Sequence, residues 1–134
     1  MNKFGDSARV LIIEDERIIA WDIKNQLESL GYTITGNFAT SEEALLQISK
    51  NLPDLVLMDI GLKGDLNGLE AAALIRDQFG IPVVFLTGFA DSETIKKVIN
   101  TRAGGLITKP FQNNDLYQTI NYALSMDSGT ELSL

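Results

Sequence analysis

Leu55-Val56-Leu57-Met58-Asp59 decides the fold: four consecutive apolar residues that close on an acid. A strand that is apolar at every position, rather than at every second one, is covered on both faces, as in a parallel sheet between two layers of helices. The same form recurs at Val10-Leu11-Ile12-Ile13, which runs into Glu14-Asp15-Glu16, and at Val83-Val84-Phe85-Leu86, which runs into Thr87-Gly88. Two weaker runs complete the set, so the strands are expected at 8–14, 32–36, 54–59, 82–87 and 105–108. Tyr32-Thr33-Ile34-Thr35 alternates and Leu106-Ile107-Thr108 is short and mixed, which suits edge strands. With right-handed crossovers these assignments agree with a doubly wound α/β fold, a five-stranded parallel sheet in the order 2-1-3-4-5 with helices on both faces, an order that composition favours and does not by itself establish.

The intervening segments carry apolar stripes at helical spacing. They are Ile19, Ile23, Leu27 and Leu30; Ala44, Leu45, Ile48 and Leu52; Ala72, Ile75 and Phe79; Ile95, Val98 and Ile99; and Leu116, Ile120, Ala123 and Leu124. Thr40 followed by Glu43 has the form of a capping box, Asp91 or Ser92 and Asn113 or Asn114 are candidate N-caps, and Gly31, Gly80 and Gly104 mark helix exits. Trp21 and the phenylalanines are read as packing residues. One domain over 1–125 followed by a polar tail over 126–134 accounts for the whole chain.

Composition removes several chemistries. The 134 residues contain no histidine and no cysteine, which excludes Ser-His-Asp and Cys-His catalysis, disulfides and His- or Cys-bound zinc. What remains is carboxylates, hydroxyls, lysine and a hard metal ion. A net charge of −7 argues against direct binding of nucleic acid or anionic lipid. No apolar run approaches the roughly 18 residues that span a bilayer. Met1 to Arg9 lacks the apolar core of a secretory signal, so a cytoplasmic location is expected.

In an open α/β sheet the site forms beyond the carboxyl ends of the strands, at the switch point between strands 1 and 3. Those ends carry Glu14-Asp15-Glu16, Asp59, Thr87-Gly88 and Lys109-Pro110. Carboxylates from adjacent strands repel in a partly desolvated crevice unless a cation lies among them. Magnesium takes oxygen ligands in octahedral geometry, and Asp15 and Asp59, supported by Glu14, are candidate ligands. Asp59 is also the candidate nucleophile toward phosphorus, with the charge of Lys109 and the hydroxyl of Thr87 available to phosphoryl oxygens. Each residue alone reads as an ordinary turn or helix-start residue; their co-occurrence carries the chemistry.

Together, the acid pair after strand 1, Asp closing strand 3, Thr-Gly closing strand 4 and Lys-Pro-Phe closing strand 5 resemble the response-regulator receiver family, over roughly residues 9–124. The resemblance implies a flavodoxin-like fold and a signalling switch with self-catalysed phosphorylation and dephosphorylation, not an enzyme. It implies that Asp59 accepts a phosphoryl group from a histidine kinase or phosphotransfer protein. Asp15 would bind magnesium or manganese directly and Glu14 through water, with Asp59 and the backbone carbonyl of Gly61 completing the protein's share. Thr87 and Lys109 would hold the phosphoryl oxygens, and Lys109-Pro110 would match the family's cis peptide. Helix 4, strand 5 and helix 5, about 92–124, would form the output face for a downstream protein target or a homodimer. The chain departs from the family pattern at Leu106, where an aromatic switch residue is common, and in the loop 60–68, which is about one residue longer than the usual form and lacks its proline.

Three other readings compete. A phosphatase of the haloacid dehalogenase type would need a second Asp two residues after the nucleophile, where Gly61 stands. A nucleotide or flavin binder would need a Gly- or Ser/Thr-rich phosphate loop after strand 1, where three acids stand. A receiver-like interaction module that takes no phosphate would share the fold without the chemistry.

Overall fold

The structure, a computed structural model, describes residues 8–60, 68–88 and 90–126. Strands and helices alternate: β1 (Arg9–Ile13), α1 (Arg17–Ser29), β2 (Thr33–Phe38), α2 (Ser41–Ile48), β3 (Leu55–Asp59), α3 (Gly68–Phe79), β4 (Val83–Thr87), α4 (Ser92–Asn100), β5 (Gly105–Thr108) and α5 (Asn113–Met126). All neighbouring strands are parallel, in the order β2-β1-β3-β4-β5, so the doubly wound flavodoxin-like arrangement is the one observed. No helix among the described residues is long and apolar enough to cross a membrane.

Period-two alternation within the three apolar strands divides the interior into two cores. Val10, Ile12, Leu55, Leu57, Val84 and Leu86 face α1 and α5, where they meet Ile23, Leu27, Leu116 and Ile120. Leu11, Ile13, Val56, Met58, Val83 and Phe85 face the other way, onto Ala44, Ile48, Ala72, Ile75 and Val98 of α2, α3 and α4. Burial on both faces fixes the register strongly, because a one-residue slip would exchange the two sets. The carboxyl ends of β1, β3, β4 and β5 therefore come to one rim.

Several boundaries differ from the sequence expectation. β2 continues to Phe38, and its register with β1 shifts between Val10 and Leu11, which leaves Thr35 without a counterpart. α2 ends at Ile48, so Leu52 lies outside it and is exposed. Thr40 and Asp91 cap α2 and α4 by accepting from the amides of Glu43 and Thr94. α5 begins at Asn113, and the Asp115 carboxylate accepts from the Gln112 amide, so capping falls one residue before the two asparagines. Gly31 and Gly80 adopt the positive φ expected of helix exits, but after α4 that conformation belongs to Arg102, at φ 60°, and not to Gly104. Gly104 and Gly105 have a packing role: a Cβ on Gly105 would lie 2.6 Å from Cγ2 of Thr119, so α5 lies closer to β5 than a side chain permits. Trp21, Ile95 and Ile99 are exposed, not core. Of the expected tail, Met126 closes α5 and 127–134 lie outside the described residues.

Candidate functional site

The rim beyond the strands brings together the residues singled out by sequence. Glu14, directly after β1, is buried; its amide donates to the Phe38 carbonyl of β2 at 3.0 Å, and its Oε2 accepts from the Glu16 amide at the start of α1 at 3.0 Å. Two elements thus fix the backbone and one oxygen of Glu14. Its Oε1 has no hydrogen-bond partner among the described residues and lies 3.6 Å from Nζ of Lys109. The same Nζ is 3.8 Å from Oδ2 of Asp59, the last residue of β3. Glu14, Asp15 and Asp59 each offer a carboxylate oxygen within 4.8 Å of the others.

One lysine faces two of three clustered carboxylates, and the electrostatics record the surplus. The Glu14 carboxyl is pushed up from 4.5 to about 7, chiefly by burial and further by the charge of Asp59, although the Glu16 amide and Lys109 pull it down. A buried carboxylate oxygen without a donor, beside two other acids, is a chemical environment that a divalent cation relieves. The donor set is all oxygen, which fits magnesium or manganese and not a thiolate- or imidazole-seeking metal. The Gly61 carbonyl lies outside the described residues, so only the carboxylates enter this test.

Thr87 closes β4 and is buried, and its carbonyl accepts from the Lys109 amide at 2.8 Å. A backbone ladder therefore sets the spacing of these two residues. The Lys109–Pro110 peptide is cis. Leu106, on β5, is half-buried and packs against the core that contains Phe85 and Val98. Phe89 lies outside the described residues.

Two neighbours of the site escaped the sequence reading. Phe38 contributes a carbonyl, which no side-chain pattern signals. A groove of about 290 Å³ between α1 and the segment after β5, lined by Ile18, Ile23, Lys109, Pro110 and Phe111 among others, opens beside Lys109. The signal for it was present in Ile18, an apolar residue off the buried stripe of α1 and 82% exposed.

Comparison with known proteins gives consistent results. The family model described as response regulator receiver domain matches residues 10–121. The transcriptional regulatory protein PdtaR of Mycobacterium tuberculosis is 34% identical over 117 residues, 87% of this chain and 57% of that protein. The phyllosphere-induced regulator PhyR of Methylorubrum extorquens is 34% identical over 119 residues, 88% of this chain and 44% of that one. The chain thus spans about half the length of these relatives. Among solved structures, the signal receiver domain of a modulated diguanylate cyclase from Desulfovibrio desulfuricans G20 superposes with a TM-score of 0.85 at 36% identity, covering 92% of this chain and 98% of that one.

Proposed function

The chain belongs to the response-regulator receiver family, and on that premise we propose that it is a phospho-accepting switch in which Asp59 takes a phosphoryl group from a histidine kinase or phosphotransfer protein. The observation that carries this reading is the position of Nζ of Lys109, within 4 Å of both Glu14 and Asp59, where three carboxylates meet. In the transfer an Asp59 oxygen attacks phosphorus and the N–P bond of the donor phosphohistidine breaks. The imidazole leaves with the bonding electrons and takes up a proton from water.

Lys109 meets the charge on one phosphoryl oxygen, and the Thr87 hydroxyl donates to another. Asp15 and Asp59 would hold magnesium or manganese, and Glu14 would act through water; the Gly61 carbonyl, outside the described residues, would be the further ligand that the family resemblance implies. When bound, the ion neutralises carboxylate repulsion and screens the incoming phosphoryl group from Asp59. The same groups serve hydrolysis, in which water attacks phosphorus, the bond to the Asp59 oxygen breaks and inorganic phosphate leaves, so the chain promotes its own phosphorylation and dephosphorylation. The output is a change of state on the surface of α4, β5 and α5, driven by the new charge at Asp59.

Intact-mass measurement after incubation with acetyl phosphate, with and without magnesium and beside Asp59→Asn, tests this reading. A metal-dependent gain of one phosphoryl group, absent from the variant, is the expected result. No gain from acetyl phosphate or from a phosphorylated kinase would sink it and leave a receiver-like module that acts without phosphate.

A further inference from the structure

α3 begins on a glycine, and the reason lies at the end of β3. A Cβ placed on Gly68 would stand 3.2 Å from Sδ of Met58, 3.3 Å from the carbonyl oxygen of Asp59 and 3.5 Å from that of Ile60. Heavy atoms pack best at about 3.5 to 4.0 Å, so a side chain here would have to displace a neighbour. Gly68 is buried and its φ is not positive, so the backbone conformation makes no demand for glycine. Glycine in a helix is disfavoured against alanine. Close approach is therefore what this residue provides.

The neighbours have little room to yield. Met58 is fully buried in the core that faces α2, α3 and α4. Asp59 stands opposite Leu86 in the β3–β4 ladder, and the next amide, that of Ile60, donates to the Leu86 carbonyl at 3.1 Å. β4 thus holds the N–H side of the Asp59–Ile60 peptide, and the start of α3 rests against its carbonyl oxygen. A methyl group on Gly68 would press on the peptide that carries the Asp59 side chain, whose Oδ2 lies 3.8 Å from Nζ of Lys109.

We propose that Gly68 is a positioning residue for Asp59: its bare Cα seats α3 against the Asp59 carbonyl and so sets the place of the Asp59 carboxylate relative to Lys109 and Glu14, for metal binding and for phosphoryl transfer. The proposal rests on the phosphate reading above. Rates of positioned reactions fall steeply with small displacements, so a shift of a few tenths of an ångström at Asp59 is enough to be read.

The test compares Gly68→Ala with Gly80→Ala, at the other end of α3, where a Cβ would meet open space but φ is 67°. The second change strains the backbone without touching Asp59 and is the control for stability alone. Each full chain is measured for the rate of phosphoryl gain from acetyl phosphate at saturating magnesium, for magnesium affinity by calorimetry and for thermal midpoint. Gly68→Ala should react and bind magnesium more weakly, each by about tenfold, with little change in midpoint. Gly80→Ala should lower the midpoint and keep the wild-type rate and affinity. Adding Met58→Val gives the methyl group space in the core, so Met58→Val/Gly68→Ala should regain most of the rate; this pair carries the test if Gly68→Ala fails to fold. Wild-type rate and affinity in Gly68→Ala, losses in both glycine variants that follow the midpoint, or no recovery in the pair would overturn the proposal. A wild type that gains no phosphoryl group removes the phosphate reading, and magnesium affinity then decides alone. Weaker binding in Gly68→Ala keeps the positioning role, whereas equal binding, or none by the wild type, ends it.

Discussion

β1 and β3 lie side by side, and their two ends treat acids in opposite ways. At the amino end Asp54 is tied to the neighbouring strand: its Oδ2 accepts from the Arg9 amide at 2.8 Å, and its own amide donates to the Arg9 carbonyl at 2.7 Å. The Arg9 guanidinium in turn contacts Asn51. At the carboxyl end Glu14, Asp15 and Asp59 cluster, one lysine pairs with Glu14 and Asp59, and Glu14 keeps a buried oxygen without a hydrogen bond. One end closes the sheet and the other holds unbalanced charge that stability alone would not favour. The contrast separates an acid that serves the fold from acids that serve chemistry.

Substitution at the two ends should break along that line. Asp59→Asn is expected to abolish the phosphoryl gain completely while leaving the thermal midpoint unchanged or higher, since a repulsive charge is removed; a drop in midpoint would make Asp59 a structural acid like Asp54. Glu14→Gln sharpens the comparison through pH. The carboxyl is protonated in both folded and unfolded chains below about 4.5, ionised only in the unfolded chain between about 4.5 and 7, and ionised in both above. Without metal the wild type therefore loses stability as pH rises through this window, by about 3 kcal/mol at most, and the variant does not. Denaturant midpoints at pH 4.5 and 8 measure the gap, which magnesium should narrow; a gap independent of pH would overturn the assignment.

Asp54→Ala, at the closed end, is expected to cost about 1 to 2 kcal/mol with no effect on the phosphoryl gain, read by urea unfolding and intact mass. The smallest effect is expected at neither end. Arg102 holds a left-handed conformation that glycine adopts freely, so Arg102→Gly should stabilise the chain by about 1 kcal/mol in the same unfolding assay. Loss of stability there would mean that the arginine side chain has a packing role.

The sequence reading was sharpest where covalent pattern and burial coincide. Val10–Ile13, Leu55–Met58 and Val83–Leu86 are apolar throughout because helices cover both faces, so strand identity, interior position and the rim of polar ends were all legible. Apolar spacing in helices was less informative, since it does not distinguish a face turned to the core from one turned to a partner; Ile95, Ile99 and Trp21 were read as packing and are exposed. Gly104 was read as a helix exit because glycine serves both positive φ and close approach, and here the second requirement holds. The burial of Glu14 depends on how β2, α1 and β5 close around it, which local sequence does not encode.

Trp21 is the only tryptophan in the chain, 65% exposed on α1 and one turn from Ile18 in the groove beside Lys109. Its emission therefore reports from a single known position on the exposed surface of α1. A bound protein that covers this part of α1 would shift that emission toward the blue, whereas an event confined to α4 would leave it unchanged, so unlabelled protein in a fluorimeter can distinguish encounters on the two faces.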